Sequence, residues 1–228
     1  MSTYQAAVFD FGGVLTTSIG EAFLAFEQRL GVTSGGILEY FLHHYDHHDD
    51  NNTLHRLERG EIGEEELYRS LAEHLGSDVQ VPSDAEGWRA EMFRDVRMNT
   101  LMIEAVGRLR KRYRTGLLTN NVREWGRHWR NLVDLDEAFD VVVDSSSVGM
   151  RKPDLAIFML TCERLGVRPE ECVFVDDIPS NVEGAEAAGM TGVVFTSTAE
   201  VMERLAACFP GVGLDDLCER AAVEQPAN

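Results

Sequence analysis

The stretch AAVFDFGGVL, from Ala6 to Leu15, begins with four small or apolar residues and breaks on the carboxylate of Asp10. It then passes through Gly12 and Gly13 before turning apolar again at Val14. A short apolar run closed in this way reads as a buried strand that carries Asp10 to the end of a sheet. The two glycines let backbone and ligand come close. Four further runs look alike: TGLLT at 115–119, FDVVV at 139–143, CVFV at 172–175 and GVVF at 192–195. Helical periodicity fills the spaces between them. Thr100–Arg112 sets Leu101, Ala105, Val106 and Leu109 on one face, Leu155–Leu165 repeats the pattern, and Asn181–Ala188 stops at Gly189. Strands alternating with helices predict a doubly wound, Rossmann-like α/β sheet, parallel and covered on both faces.

One interval breaks the alternation. The first strand ends near Asp10 and the second begins near Thr115, whereas a βαβ crossover needs only about thirty residues. The excess carries apolar residues at helical spacing in Ile19–Leu30, Ile37–Tyr45, Glu64–Leu75 and Glu86–Phe93. The expected division is therefore an α/β core made of residues 1–16 and 98–228, with a helical domain, 17–97, inserted after the first strand. The terminal VEQPAN is expected to fray.

The formal net charge of −18 argues against nucleic-acid and anionic-membrane partners. It also means that any phosphate site needs local positive charge or a metal. Cys162, Cys172, Cys208 and Cys218 form no C-x-x-C pair, which suits reduced thiols in a cytoplasmic protein. No secretory signal and no apolar run of membrane-spanning length is evident. Oligomeric state is not readable from these features.

In an open parallel sheet, ligands bind beyond the carboxyl ends of the strands. Asp10 stands at the end of the first strand. Thr119, with Asn120 and Asn121 behind it, ends the second. The loop GMRKPD after the third carries Lys152, and the fourth runs into Asp176 and Asp177. Three carboxylates on one rim repel one another, and a hard cation such as Mg²⁺ relieves this through oxygen ligands. A carboxylate that faces a phosphoryl group held by a lysine, a hydroxyl and an amide can attack phosphorus.

These residues resemble the four motifs of the haloacid dehalogenase-like hydrolases: Asp10 in the first, Thr119 in the second, Lys152 in the third, and Asp176 with Asp177 in the fourth. LLTNN, VGMRKPD and VFVDDIPSNVEGAEAAGM are the telling stretches. They are most similar to the phosphatase domain of soluble epoxide hydrolases and to small bacterial sugar-phosphate phosphatases. In the insertion only LERGEI, at Leu57–Ile62, shares that likeness. The resemblance implies a mobile cap at 17–97 and hydrolysis of a small phosphorylated metabolite. Asp10 would be nucleophile and metal ligand. The Gly12 carbonyl and Asp177 would complete the Mg²⁺ site, with Asp176 as ligand or lysine partner. Gly13, Thr119, Asn120 and Lys152 would hold the phosphoryl group, and Asn181 would support the metal shell or cap a helix.

The family's phosphatases read Asp-x-Asp, and their second Asp protonates the leaving oxygen and later activates water. Here Gly12 stands in that place. Glycine keeps the carbonyl ligand but removes an acid/base group worth ~10²–10⁴ in rate. A weakly active or purely phospho-ligand-binding relative is therefore the competing reading. A 2-haloacid dehalogenase also lacks the second Asp, but Asp176 and Asp177 would repel a haloacid's carboxylate. Three other features invite chemistry. His43/His47 and His44/His48, with Asp46 and Asp49, have metal-binding spacing, against a polar helix end. Arg123, Arg127 and Arg130 share a helix face, which reads as an anion contact or a solvated surface. Trp88, Trp125 and Trp129 read as packing at the seam between core and insertion.

Overall fold

The structure, a computed structural model, describes residues 4–32, 36–46, 52–126, 129 and 134–224. Among them five parallel strands form one sheet in the order β3-β2-β1-β4-β5. These are β1 (Ala6–Phe9), β2 (Arg114–Thr119), β3 (Val141–Asp144), β4 (Cys172–Asp176) and β5 (Thr191–Val194). The third strand starts later than the FDVVV run suggests. Phe139 is buried in the core, and Asp140 accepts from Thr115 N at 2.9 Å through its carboxylate, so the ladder begins at Val141.

Successive residues of a strand point to opposite faces, and β1 sorts two cores in this way. Ala7 and Phe9 join the core built by α6 (Thr100–Leu109), α11 (Thr198–Cys208) and α12 (Asp215–Glu224). Ala6 and Val8 join the core under α9 (Leu155–Leu165) and α10 (Pro179–Ala187). Both faces of the sheet are thus covered, as the apolar strands require. Helix α10 starts two residues earlier than its Ala/Glu pattern implies, with Pro179 in its first turn, where a missing N–H costs nothing. Past Pro210 the chain still packs: Leu214, Leu217 and Ala221 are buried, and only 225–228 fall outside the described residues. The thiols of Cys162 and Cys172 lie in hydrogen-bond contact at 3.6 Å and form no disulfide.

Between β1 and α6 come α1 (Ile19–Leu30), α2 (Ile37–Asp46), α3 (Thr53–Glu58), α4 (Glu64–Leu75) and α5 (Ala85–Met92). Helix α3 is too short to show a period, and only its capping residue Asn52, which accepts from His55 N, announces it. These helices share their own apolar cluster around Phe26, Leu67, Leu71 and Trp88. The chain enters and leaves them side by side: Thr17 N donates to Arg97 O at 2.8 Å and Asn99 N to Leu15 O at 2.8 Å. Two further short helices, α7 (Leu135–Ala138) and α8 (Ser145–Val148), flank β3.

Candidate active site

The register sets Phe9 of β1 opposite Leu117 of β2 and Val175 of β4, so three neighbouring strands end at one level. Asp10, Thr119 and Asp176 therefore reach the same rim, and each is buried. Lys152 arrives on the loop after α8. Its ammonium carries three donors and uses all of them: Asp10 Oδ1 at 2.6 Å, Asp176 Oδ2 at 2.6 Å and the Leu118 carbonyl at 3.0 Å. One lysine thereby joins the ends of β1, β2 and β4.

Asp176 is fully engaged by the protein. Besides Lys152 it accepts from Ile178 N at 2.8 Å, and the Asn181 amide reaches its two oxygens at 3.2 and 3.1 Å. Asn181 is buried, so it supports the carboxylate cluster rather than capping α10. Its own Oδ1 is buried without a hydrogen-bond partner, an acceptor aimed at no protein donor. Asp177, more open, leans over Gly13. A Cβ on Gly13 would lie 2.1 Å from Asp177 Oδ2, and the residue has φ +77°, so both space and backbone require glycine.

One ligand atom each from Asp10, Asp176 and Asp177 lies within 4.8 Å of the others. Burial pushes the Asp10 carboxyl up to about 8, with Asp176 and Asp177 adding to it and Lys152 opposing. Asp177 is raised to about 6, by burial first and then by Asp176. Burial alone would lower Lys152, but Asp10 and Asp176 hold it above its ordinary value, as an ammonium. Three carboxylates against one cation leave a negative surplus, and the partnerless Asn181 oxygen stands beside it. Such an all-oxygen set fits a small hard cation with bound water.

At Gly12 the absence of a side chain has a neighbour. A Cβ there would meet Ile19 Cγ1 at 3.0 Å, so the first residue of α1 closes on the position where an acid would stand. Thr119 Oγ1 lies 3.4 Å from the Asn120 carbonyl and does not cap a following helix. The Asn120 side chain is committed to the Lys152 main chain, accepting from its N at 2.8 Å and donating to its O at 3.0 Å. The motif pattern did not single out Glu58, Tyr45 or Arg151 as a group, yet Glu58 and Tyr45 meet the Asn120 side chain and Arg151 pairs with Glu58. LERGEI was the one signal that pointed to this part of the insertion.

Other candidates resolve differently. His47, His48 and Asp49 lie outside the described residues, as do Arg127 and Arg130. His44 Nδ1 pairs with the Tyr40 carbonyl at 2.8 Å, and Arg123 donates to the Gly60 carbonyl at 2.8 Å. Trp125 does sit at the seam, its Nε1 3.0 Å from both Glu64 Oε2 and Tyr68 Oη. Trp88 stacks on Tyr68 within the helical cluster, and Trp129 packs on Phe11. Surface grooves run along β5 and α11 and between α4 and α5, away from the rim. No described helix is long and apolar enough to cross a membrane.

A family model described as haloacid dehalogenase-like hydrolase matches residues 4–189. Bifunctional epoxide hydrolase 2 of Mus musculus is 28% identical over 221 residues, covering 88% of this chain, which spans only 38% of that longer protein. Sesquiterpene phosphatase astK of Aspergillus oryzae is 28% identical over 213 residues, covering 89% of this chain and 95% of its own. Among solved structures, an enzyme of the same family from Bacteroides thetaiotaomicron, determined with magnesium and inorganic phosphate, has a TM-score of 0.62. It shares 21% identity, with 84% of this chain and 93% of that one covered.

Proposed function

The chain belongs to the haloacid dehalogenase-like hydrolases, and on that premise we propose that it is a Mg²⁺-dependent phosphatase. It acts on a small phosphorylated metabolite through an aspartyl-phosphate on Asp10. The observation that carries this reading is Lys152, held between Asp10 and Asp176 with Asp177 alongside. A relative named as a phosphatase along nearly its whole length, and a structural neighbour solved with magnesium and phosphate, support it.

Asp10, Asp177 and the Gly12 carbonyl would hold the Mg²⁺, with Asp176, fixed between Lys152 and Asn181, as its support. When bound, the cation offsets the carboxylate surplus and neutralises phosphoryl charge. Lys152 neutralises the nucleophile and the transferring group. Thr119 donates its hydroxyl to a phosphoryl oxygen, and Asn120 offers its main-chain N–H group, whereas that of Gly13 is given to Thr16 Oγ1 at 3.1 Å. Asp10 attacks phosphorus in line with the leaving oxygen, and catalysis is mostly positioning and charge stabilisation. The helices at 17–97 act as the cap that excludes water.

Position 12 supplies no proton. The leaving group must then depart as a stable anion, as acyl and aryl phosphates allow, or receive its proton from substrate or cap. That same glycine is the observation favouring the second reading, a phospho-ligand binder without turnover. Release of the leaving alcohol or acid in the first turnover, with and without Mg²⁺, from an aryl or acyl phosphate and from an alkyl phosphate, separates them, with Asp10→Asn as control. Fast Asp10-dependent release from the first class and slow release from the second supports the phosphatase, while hydrolysis of the common aspartyl-phosphate slows later turnovers for both. Binding of inorganic phosphate without release from either class supports the binder.

A further inference from the structure

Glu58, the last residue of α3, is buried at the rim although it belongs to the inserted helices. Its Oε2 accepts from Arg151 Nε at 2.6 Å and lies 3.4 Å from Asn120 Nδ2. Its carbonyl accepts from Ser145 Oγ at 2.6 Å, and that hydroxyl oxygen accepts from Asn121 N at 2.9 Å. Tyr45 of α2 comes to the same place: its hydroxyl oxygen is 3.3 Å from Asn120 Nδ2, and its ring lies 5.3 Å under the Arg151 guanidinium. Gly60 completes the docking, since a Cβ there would lie 2.4 Å from the Ser146 carbonyl and its φ is +69°. The inserted helices thus reach, through buried polar groups, the two loops that carry Asn120 and Arg151–Lys152.

Burying two charges costs about as much as their pairing returns, so a buried ion pair is poorly explained by stability alone. What it does well is fix one geometry. Here the geometry it fixes is that of Asn120, whose amide clamps the main chain of Lys152 from both sides. We propose that Glu58 is a positioning residue: by docking on Arg151 and Asn120 it sets the Lys152 loop, and so makes assembly of the phosphoryl site depend on the seating of the helices at 17–97. This rests on the phosphatase reading for its kinetic consequence, though not for its structural one.

Glu58→Gln alone leaves a buried guanidinium without its counter-charge and disturbs the fold for that reason. The deciding variant is Glu58→Gln with Arg151→Gln, which removes both charges. Its thermal midpoint, its Mg²⁺-dependent kcat and KM on an aryl phosphate, and amide hydrogen exchange at 120–122 and 151–152 are measured beside the unmodified chain. The expected result is a midpoint near that of the unmodified chain, with kcat lower by about tenfold to a hundredfold and faster exchange at those amides. Unchanged kcat and exchange in a folded double variant overturn the proposal. Should that variant not fold, Glu58→Asp keeps the charge and shortens its reach; unchanged kcat there overturns the proposal as well, and a loss of kcat supports it. Should the unmodified chain hydrolyse no phosphate ester, the function reading fails, and exchange alone decides: faster at 120–122 and 151–152 supports the positioning role, unchanged refutes it.

Discussion

Lys152 is buried with all three of its N–H donors occupied, two of them by carboxylates. Lys152→Met leaves Asp10 and Asp176 facing each other without their cation, which should cost roughly 3–5 kcal/mol of stability near neutral pH. Urea denaturation should show a larger loss at pH 9 than at pH 6, because Asp10 gives up its proton only above about 8. At Gly12 the prediction concerns what a restored acid would need. Gly12→Asp alone presses its Cβ on Ile19 and should raise turnover of an alkyl phosphate only slightly. Combined with Ile19→Ala it should gain more, up to the ~10²–10⁴ that a positioned acid/base contributes. Initial rates on one alkyl ester test this, and equal rates for the single and double variants would remove Ile19 from the account. The glycine itself was legible as a gap in a motif. Its neighbour was not, because Ile19 meets it only through the path of the chain into α1.

Among the elements, α10 holds the Lys152 loop in place. A Cβ on Gly184 would lie 2.5 Å from the Pro153 carbonyl and 3.0 Å from Phe158 Cε2, so helix and loop touch backbone to backbone. Gly184→Ala should therefore cost about 1–3 kcal/mol by overpacking, and should lower kcat because the displaced residue follows Lys152. A Tm shift without a kcat change would place the strain elsewhere. The strands were legible because each is a short apolar run, and those at Ala6–Phe9 and Cys172 onward lie where the pattern puts them. The start of β3 was not, since Phe139 is as apolar as a strand residue but is buried ahead of the ladder. That Asp10, Thr119 and Asp176 share one rim was legible for the same reason as the strands: residue order along the chain becomes position on the rim in a parallel sheet. The Glu58–Arg151–Asn120 cluster was not, because its members lie far apart in sequence and carry no spacing rule.

At the scale of the molecule, a chain with net charge −18 keeps its carboxylate surplus at the rim as well as on its surface. Without metal, the folded protein holds protons on Asp10 up to about 8 and on Asp177 up to about 6, whereas the unfolded chain releases them near 3.8. These groups therefore stabilise the metal-free fold least at high pH: their contribution is complete below about pH 4 and is lost as pH rises toward 8. Mg²⁺ bound at the proposed site would displace those protons, so its affinity and its effect on Tm should both grow from pH 5 to pH 8. Calorimetry with and without Mg²⁺ reads this, and Asp10→Asn should flatten the metal-free decline. The central claim is tested most directly by a rapid-quench experiment with an aryl phosphate and Mg²⁺, followed by mass analysis of the peptide that contains Asp10. With no group at position 12 to activate water, a burst of aryl alcohol should accompany a phosphoryl group on Asp10, and Asp10→Asn should abolish both. Turnover with no modification of that peptide, persisting in Asp10→Asn, would contradict the account.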